Sequence, residues 1–148
     1  MQQITIDYGI DLGTTNSVIS ISQKGNVETI KNGLSEITPS VVYFDKRGSL
    51  KIGLGALEMF KNPKNAIEVQ SEFKRSMGQR VKLDFKAAKK SMTPEELSSE
   101  VLRVLRQAAG LRCGTDPMAA VITVPAMFEL PQNEATANAA KLAGFTYS

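Results

Sequence analysis

Branched apolar residues crowd the start of the chain, where Ile4, Ile6, Ile10 and Leu12 bracket Asp11, and an alternating pattern resumes from Val18 to Ile21. Between them lie only Gly13, Thr14, Thr15, Asn16 and Ser17, so the pattern predicts two strands joined as a hairpin, with Asp11 near the far end of the first. A turn at Gly25-Asn26 and a strand from Val27 to Ile30 extend the hairpin series. Ile37-Thr38-Pro39-Ser40 leads into a further strand, Val41 to Phe44, with the proline placed ahead of the ladder that its missing donor would break. Asp45 to Gly48 supplies the next turn. From Leu54 the spacing becomes helical, with Leu57 and Phe60 three apart, until Asn62-Pro63 stops the run.

Val69, Phe73 and Met77 recur at every fourth position and predict a helix over Ala66 to Met77 that turns Lys74 and Arg75 away from the apolar stripe. Gly78 ends it. Arg80 to Ser91 is rich in lysine and alternates weakly at Val81, Leu83 and Phe85, which suits either strand or loop. Thr93 and Glu96 have capping-box spacing with Pro94 in the first helical position, so a helix starts there and lines Leu97, Val101, Leu105 and Ala108 on one face. Ala119 to Val124 is an unbroken apolar run ending at Pro125 and predicts a strand buried on both faces, with helices covering both sides. A last helix spans Pro131 to Ala143 before Gly144. The class is α/β, a mixed sheet flanked by helices.

At 148 residues and 42% apolar content the chain can bury one core but not two. Its 18 basic and 15 acidic residues are spread along the chain, and without tryptophan or a basic-aromatic motif nucleic-acid binding is not expected. Histidine is absent, which removes histidine-based triads, imidazole zinc sites and a histidine base. The one cysteine, Cys113, allows no internal disulfide and reads as an inert thiol near a helix end, in keeping with a reducing compartment. The N-terminus lacks a basic region followed by an apolar core, and no run approaches the roughly 18 apolar residues of a membrane span, so a soluble cytoplasmic protein is expected.

Gly9 to Ser17, GIDLGTTNS, is the stretch with the clearest chemical potential. A tight turn of small residues can point successive amides into one concavity that attracts phosphate oxygens, and glycine permits close approach. A carboxylate two residues before the turn suits a phosphate-bound magnesium that keeps its waters, which makes Asp11 the candidate metal-orienting group. An ordinary hairpin whose glycine and threonines satisfy turn geometry accounts for the same nine residues.

The nonapeptide is followed in order by ITPSVVYF from Ile37, EFKRSMG from Glu72, ELSSEVLRVLR from Glu96 and AAVITVPAMF from Ala119. Together these segments resemble the DnaK-type heat-shock chaperones, and the brevity of Gln79 to Met92 with the ELSSEVLR wording resembles the HscC-type branch. The resemblance implies an actin-like (ribonuclease H-like) ATPase fold, with residues 1–148 as the first lobe of a nucleotide-binding domain that ends before the second phosphate loop and second lobe. By position it implies ATP or ADP held at Gly13, Thr14, Thr15 and Asn16, magnesium oriented through water by Asp11, a hydrolytic lysine at Lys74, and a proline that relays nucleotide state at Pro125. It also implies unfolded client polypeptides, J-domain cochaperones and nucleotide-exchange factors as partners. Where the family carries an arginine for J-domain coupling this chain has Asn133, which lacks the charge, so that contact is in doubt. A lone lobe is expected to bind nucleotide poorly and hydrolyse it negligibly. A sugar or metabolite kinase of the same fold and a non-catalytic nucleotide-sensing adaptor are the alternatives.

Overall fold

The computed structural model describes residues 7–146, so Ile4 and Ile6 of the first strand fall outside the described residues. The chain begins with β1 (Tyr8–Leu12), β2 (Asn16–Gln23), β3 (Asn26–Ile30), β4 (Thr38–Pro39), β5 (Val41–Phe44) and β6 (Leu50–Ile52). There follow α1 (Leu54–Phe60), α2 (Pro63–Ala66), β7 (Val69–Ser71), a 3-10 turn (Phe73–Ser76), and the pair β8 (Leu83–Phe85) and β9 (Lys90–Met92). The long helix α3 (Pro94–Cys113), β10 (Val121–Thr123) and α4 (Leu130–Ala143) complete it.

β1, β2 and β3 form consecutive antiparallel pairs, and β10 returns from the far end of the chain to pair parallel with β1, Asp11 facing Thr123 in the register. The spatial order is β10, β1, β2, β3, with β4 against the start of β2. Alternation sends Ile10, Leu12, Ile19 and Ile21 to one face, where they meet Leu97, Val101 and Leu105 of α3. Ala135, Ala139, Ala140 and Ala143 of α4 join the same cluster, small side chains that let α4 lie close beside α3. The capping box at the start of α3 forms as its spacing predicts: Thr93 Oγ1 accepts from Glu96 N and Glu96 Oε1 accepts from Thr93 N, each at 3.1 Å. Gly114, at φ 87°, ends that helix in the left-handed conformation.

Both α3 and α4 cover the same face, and this corrects the expected two-sided burial of Ala119 to Val124. Ala120 is buried, but Val121 is 54% exposed and Thr123 is exposed on the opposite face, which no element among the described residues covers. β5 is the strand enclosed on both sides. Val42 and Phe44 enter the main core, while Val41 and Tyr43 join Ala56 and Val69 in a second cluster under α1. On α1 the predicted stripe is not the buried one, since Leu57 and Phe60 are 37% and 48% exposed and Ala56 alone is buried.

The helix expected over Ala66 to Met77 does not form. Val69 pairs with Tyr43 in the small sheet, Glu72 takes a left-handed φ of 53°, and Phe73 and Met77 reach the main core from a 3-10 turn and its exit. Spacing by four marked burial correctly, but a strand and a tight turn deliver it. Asn62 and Pro63 stop α1 and at once start α2, with Asn62 Oδ1 accepting from Lys64 N at 3.0 Å. The β2–β3 hairpin turns at Lys24-Gly25, one residue earlier than the sequence suggested, with both residues at positive φ. The lysine-rich segment is a hairpin, β8 with β9, whose Phe85 is fully buried edge-on to Phe44 at 5.0 Å between centroids.

Candidate functional site

The turn between β1 and β2 is fixed from behind. Ser40 Oγ donates to the Gly13 carbonyl at 2.8 Å, Ser40 N donates to the Thr15 carbonyl at 2.9 Å, and the buried Ser17 hydroxyl sits 2.8 Å from Ser40 Oγ. The carbonyls on the inner side of the turn are thereby satisfied. Among the described residues no hydrogen bond engages the main-chain amides of Thr14 or Thr15, and Thr15 and Asn16 are exposed. A cleft of about 210 Å³ opens beside them, bounded by Thr14, Asn16, Leu57, Phe60 and Glu72. Gly13 is required for space rather than for φ: a Cβ there would lie 2.0 Å from the Asn16 carbonyl oxygen.

Asp11 is exposed rather than buried, because alternation along β1 puts it on the uncovered face of the sheet while Ile10 and Leu12 face the core. Its Oδ1 accepts from Thr123 Oγ1 at 3.1 Å, and the same hydroxyl lies 3.4 Å from the Ile10 carbonyl. Thr123 escaped the sequence reading. The signal was its register opposite Asp11, which exists only once β10 pairs with β1 across 112 residues of chain. Thr123→Val keeps shape and removes the hydroxyl, so freeing the Asp11 carboxylate is expected to leave stability within about 1 kcal/mol of wild type. In the full-length protein the same change is expected to raise the magnesium concentration needed for half-maximal nucleotide binding several-fold. An unchanged magnesium titration would remove Thr123 from the site.

Lys74 does not turn away from the apolar stripe. It is 6% exposed, and its Nζ donates to the Leu12 carbonyl, one residue from Asp11. Burial pushes its pKa below the ordinary lysine value, opposed by the Asp11 carboxylate, which favours the charged form. The Phe128 ring lies 5.7 Å from Nζ, centroid to nitrogen, a second neighbour that the sequence did not reveal. Pro125 stands where β10 gives way to a turn, closed by Phe128 N donating to the Pro125 carbonyl at 3.0 Å. Asn133 is exposed on the first turns of α4 and borders a shallow concavity with Ile122, Val124 and Thr136, apart from the β1–β2 turn.

Asp11, Lys74 and the amides past Gly13 are thus brought to one end of the sheet by three separate elements. Among the described residues no group of three or more His, Cys, Asp or Glu side chains could cage a metal directly. The donor set is a single accessible carboxylate beside unspent amides, which fits a magnesium that keeps most of its waters and takes phosphate oxygens. Among the same residues no helix is long and apolar enough to cross a membrane.

The profile of the Hsp70 protein family matches residues 7–148. Chaperone protein DnaK of Mycoplasmoides gallisepticum is 39% identical over 142 residues, covering 93% of this chain and 23% of the relative. Chaperone protein DnaK of Thermotoga neapolitana is 43% identical over 141 residues, covering 92% of this chain and 22% of the relative. The chain therefore spans less than a quarter of the length of these curated relatives. Three antiparallel strands with a parallel fourth, backed by two helices, form the mixed α/β arrangement of an actin-like ATPase fold, and the chain belongs to the Hsp70 family.

Proposed function

We propose that residues 1–148 are the first lobe of a two-lobed domain that binds and hydrolyses ATP in a DnaK-type chaperone, where nucleotide state governs the grip on unfolded polypeptide. The observation that carries this reading is a buried lysine whose ammonium meets the carbonyl next to Asp11, at the mouth of a turn with unspent amides. Buried lysines need a reason, and a developing phosphate charge supplies one.

In this reading Gly13, Thr14, Thr15 and Asn16 cradle the terminal phosphates of ATP or ADP through the main chain, as turn amides do for anions. Lys74 stabilises charge on the transferring phosphoryl group, because phosphoryl transfer to water depends on positioning and electrostatics more than covalent help. Asp11 would orient the waters of a magnesium ion, which neutralises phosphate charge when bound. Pro125 would pass the state of the site onward. Asp11 stands on the uncovered sheet face, so one wall alone does not exclude water and the isolated lobe is expected to turn over ATP negligibly.

Client polypeptides and a nucleotide-exchange factor are the proposed partners. A J-domain cochaperone would have to engage Asn133 without a charged contact. A cytoplasmic setting suits the lone thiol of Cys113, exposed at the end of α3.

The test is phosphate release from ATP by the full-length protein with no phosphoryl acceptor but water. Magnesium-dependent turnover is expected, and Asp11→Asn is expected to raise the magnesium requirement roughly tenfold, about 1.4 kcal/mol. Turnover that requires a sugar would favour a kinase of the same fold. Nucleotide binding without any turnover would favour a sensing adaptor.

A further inference from the structure

Lys74 is held between a polar and an aromatic neighbour. Its ammonium donates to the Leu12 carbonyl, and on another side the Phe128 ring stands 5.7 Å away. The segment around Phe128 is otherwise turned outward: Met127 is 84% exposed and Leu130 is 69% exposed. Phe128 alone of these three packs against the main core, and it does so beside a charge. The Phe128 N–H bonded to the Pro125 carbonyl closes a four-residue turn that fixes where the ring can lie. A lysine has four rotatable bonds and loses much freedom when confined, so its reach depends on what blocks the alternatives.

We propose that Phe128 is a positioning residue for Lys74, its ring closing one side of the lysine's channel and keeping the ammonium directed at the end of β1. The inference rests on the reading of Lys74 as the group that meets phosphate. The ring's negative face attracts the ammonium most strongly in a partly desolvated site. Its stiffness restricts the lysine chain at little entropic cost of its own, because a phenylalanine has only two side-chain torsions. In that reading nucleotide affinity is supplied by the turn amides, and Phe128 does not line the cleft beside them. Loss of the ring should therefore appear in the rate and not in binding.

The test uses the full-length protein and two readouts, single-turnover ATP hydrolysis and equilibrium ADP affinity by calorimetry. Phe128→Leu retains an apolar side chain without a ring, Phe128→Met is a second ring-free variant should the first fail to fold, and Phe128→Tyr restores the ring. Ring-free variants are expected to hydrolyse ATP roughly tenfold more slowly, equivalent to about 1.4 kcal/mol, with ADP affinity within about twofold of wild type. Phe128→Tyr is expected to recover most of the rate. In a Lys74→Ala background Phe128→Leu is expected to add nothing. Ring-free variants as fast as wild type, or a tyrosine variant no faster than they are, overturn the inference while leaving Lys74 in place. A Lys74→Ala protein with normal turnover overturns the reading of the lysine itself, and the inference with it.

Discussion

Replacing Lys74 with alanine in the full-length protein is expected to slow single-turnover ATP hydrolysis by roughly 10²-fold or more, the usual scale for removing one preorganised donor from a transition state. The size follows from burial. At 6% exposure, with Leu12 and Phe128 around it and Asp11 close by, the ammonium sits where water screens it poorly, so its effect on developing charge exceeds that of a surface lysine. ATP affinity should fall far less. The pH dependence has a definite sign in the nucleotide-free protein: with its pKa lowered below the ordinary lysine value, Lys74 loses its proton earlier as pH rises, so the alkaline limb of kcat/KM, which reports the free protein, should begin below that of a free lysine. Linkage runs the same way. The unfolded chain binds this proton more tightly than the fold does, so the charge opposes folding at lower pH and the opposition fades as pH climbs through the lowered pKa towards the ordinary one. Wild-type turnover in Lys74→Ala would sink the assignment.

Local signals in the sequence carried the elements whose structure is decided locally. The β1–β2 hairpin, the capped start of α3 and the glycine stop of α4 all formed, because alternation, a threonine-glutamate pair and a left-handed glycine act within a few residues. The failures came where tertiary pairing decides. Val69 lies in a strand because Tyr43 offers it a ladder, and the left-handed Glu72 prevents the spacing by four from becoming a helix. Ala119 to Val124 reads as doubly buried because its composition is apolar, yet coverage depends on where α3 and α4 lie, and both lie on one side. The same division holds at the site. Asp11 and the turn after it are contiguous and were readable, and Lys74 was placed only by resemblance. Thr123 and Phe128 become neighbours of Asp11 and Lys74 through the parallel return of β10 and the turn behind it.

Gly13→Ala is expected to disable the turn proposed to hold phosphate more completely than loss of any side chain on it. The added methyl would stand 2.0 Å from the Asn16 carbonyl oxygen and 3.2 Å from its carbon, both main-chain atoms that no rotamer change can move aside. The backbone must shift instead, but Ser40 pins the carbonyls of Gly13 and Thr15, and Asn16 already begins the ladder with β4. Relieving the clash therefore breaks bonds that hold the turn, at about 1–3 kcal/mol of stability, readable as a lower urea midpoint for the chain. The functional consequence is larger than the stability loss. Amides displaced by as little as about 1 Å no longer match phosphate oxygens, so ATP and ADP affinity in the full-length protein should drop by roughly 10²-fold. Gly9→Ala is the internal comparison, since a Cβ at Gly9 meets nothing within 4 Å and the chain's urea midpoint should barely move. Should Gly13→Ala keep both its urea midpoint and its nucleotide affinity, the turn is free to rearrange and does not grip phosphate through the main chain.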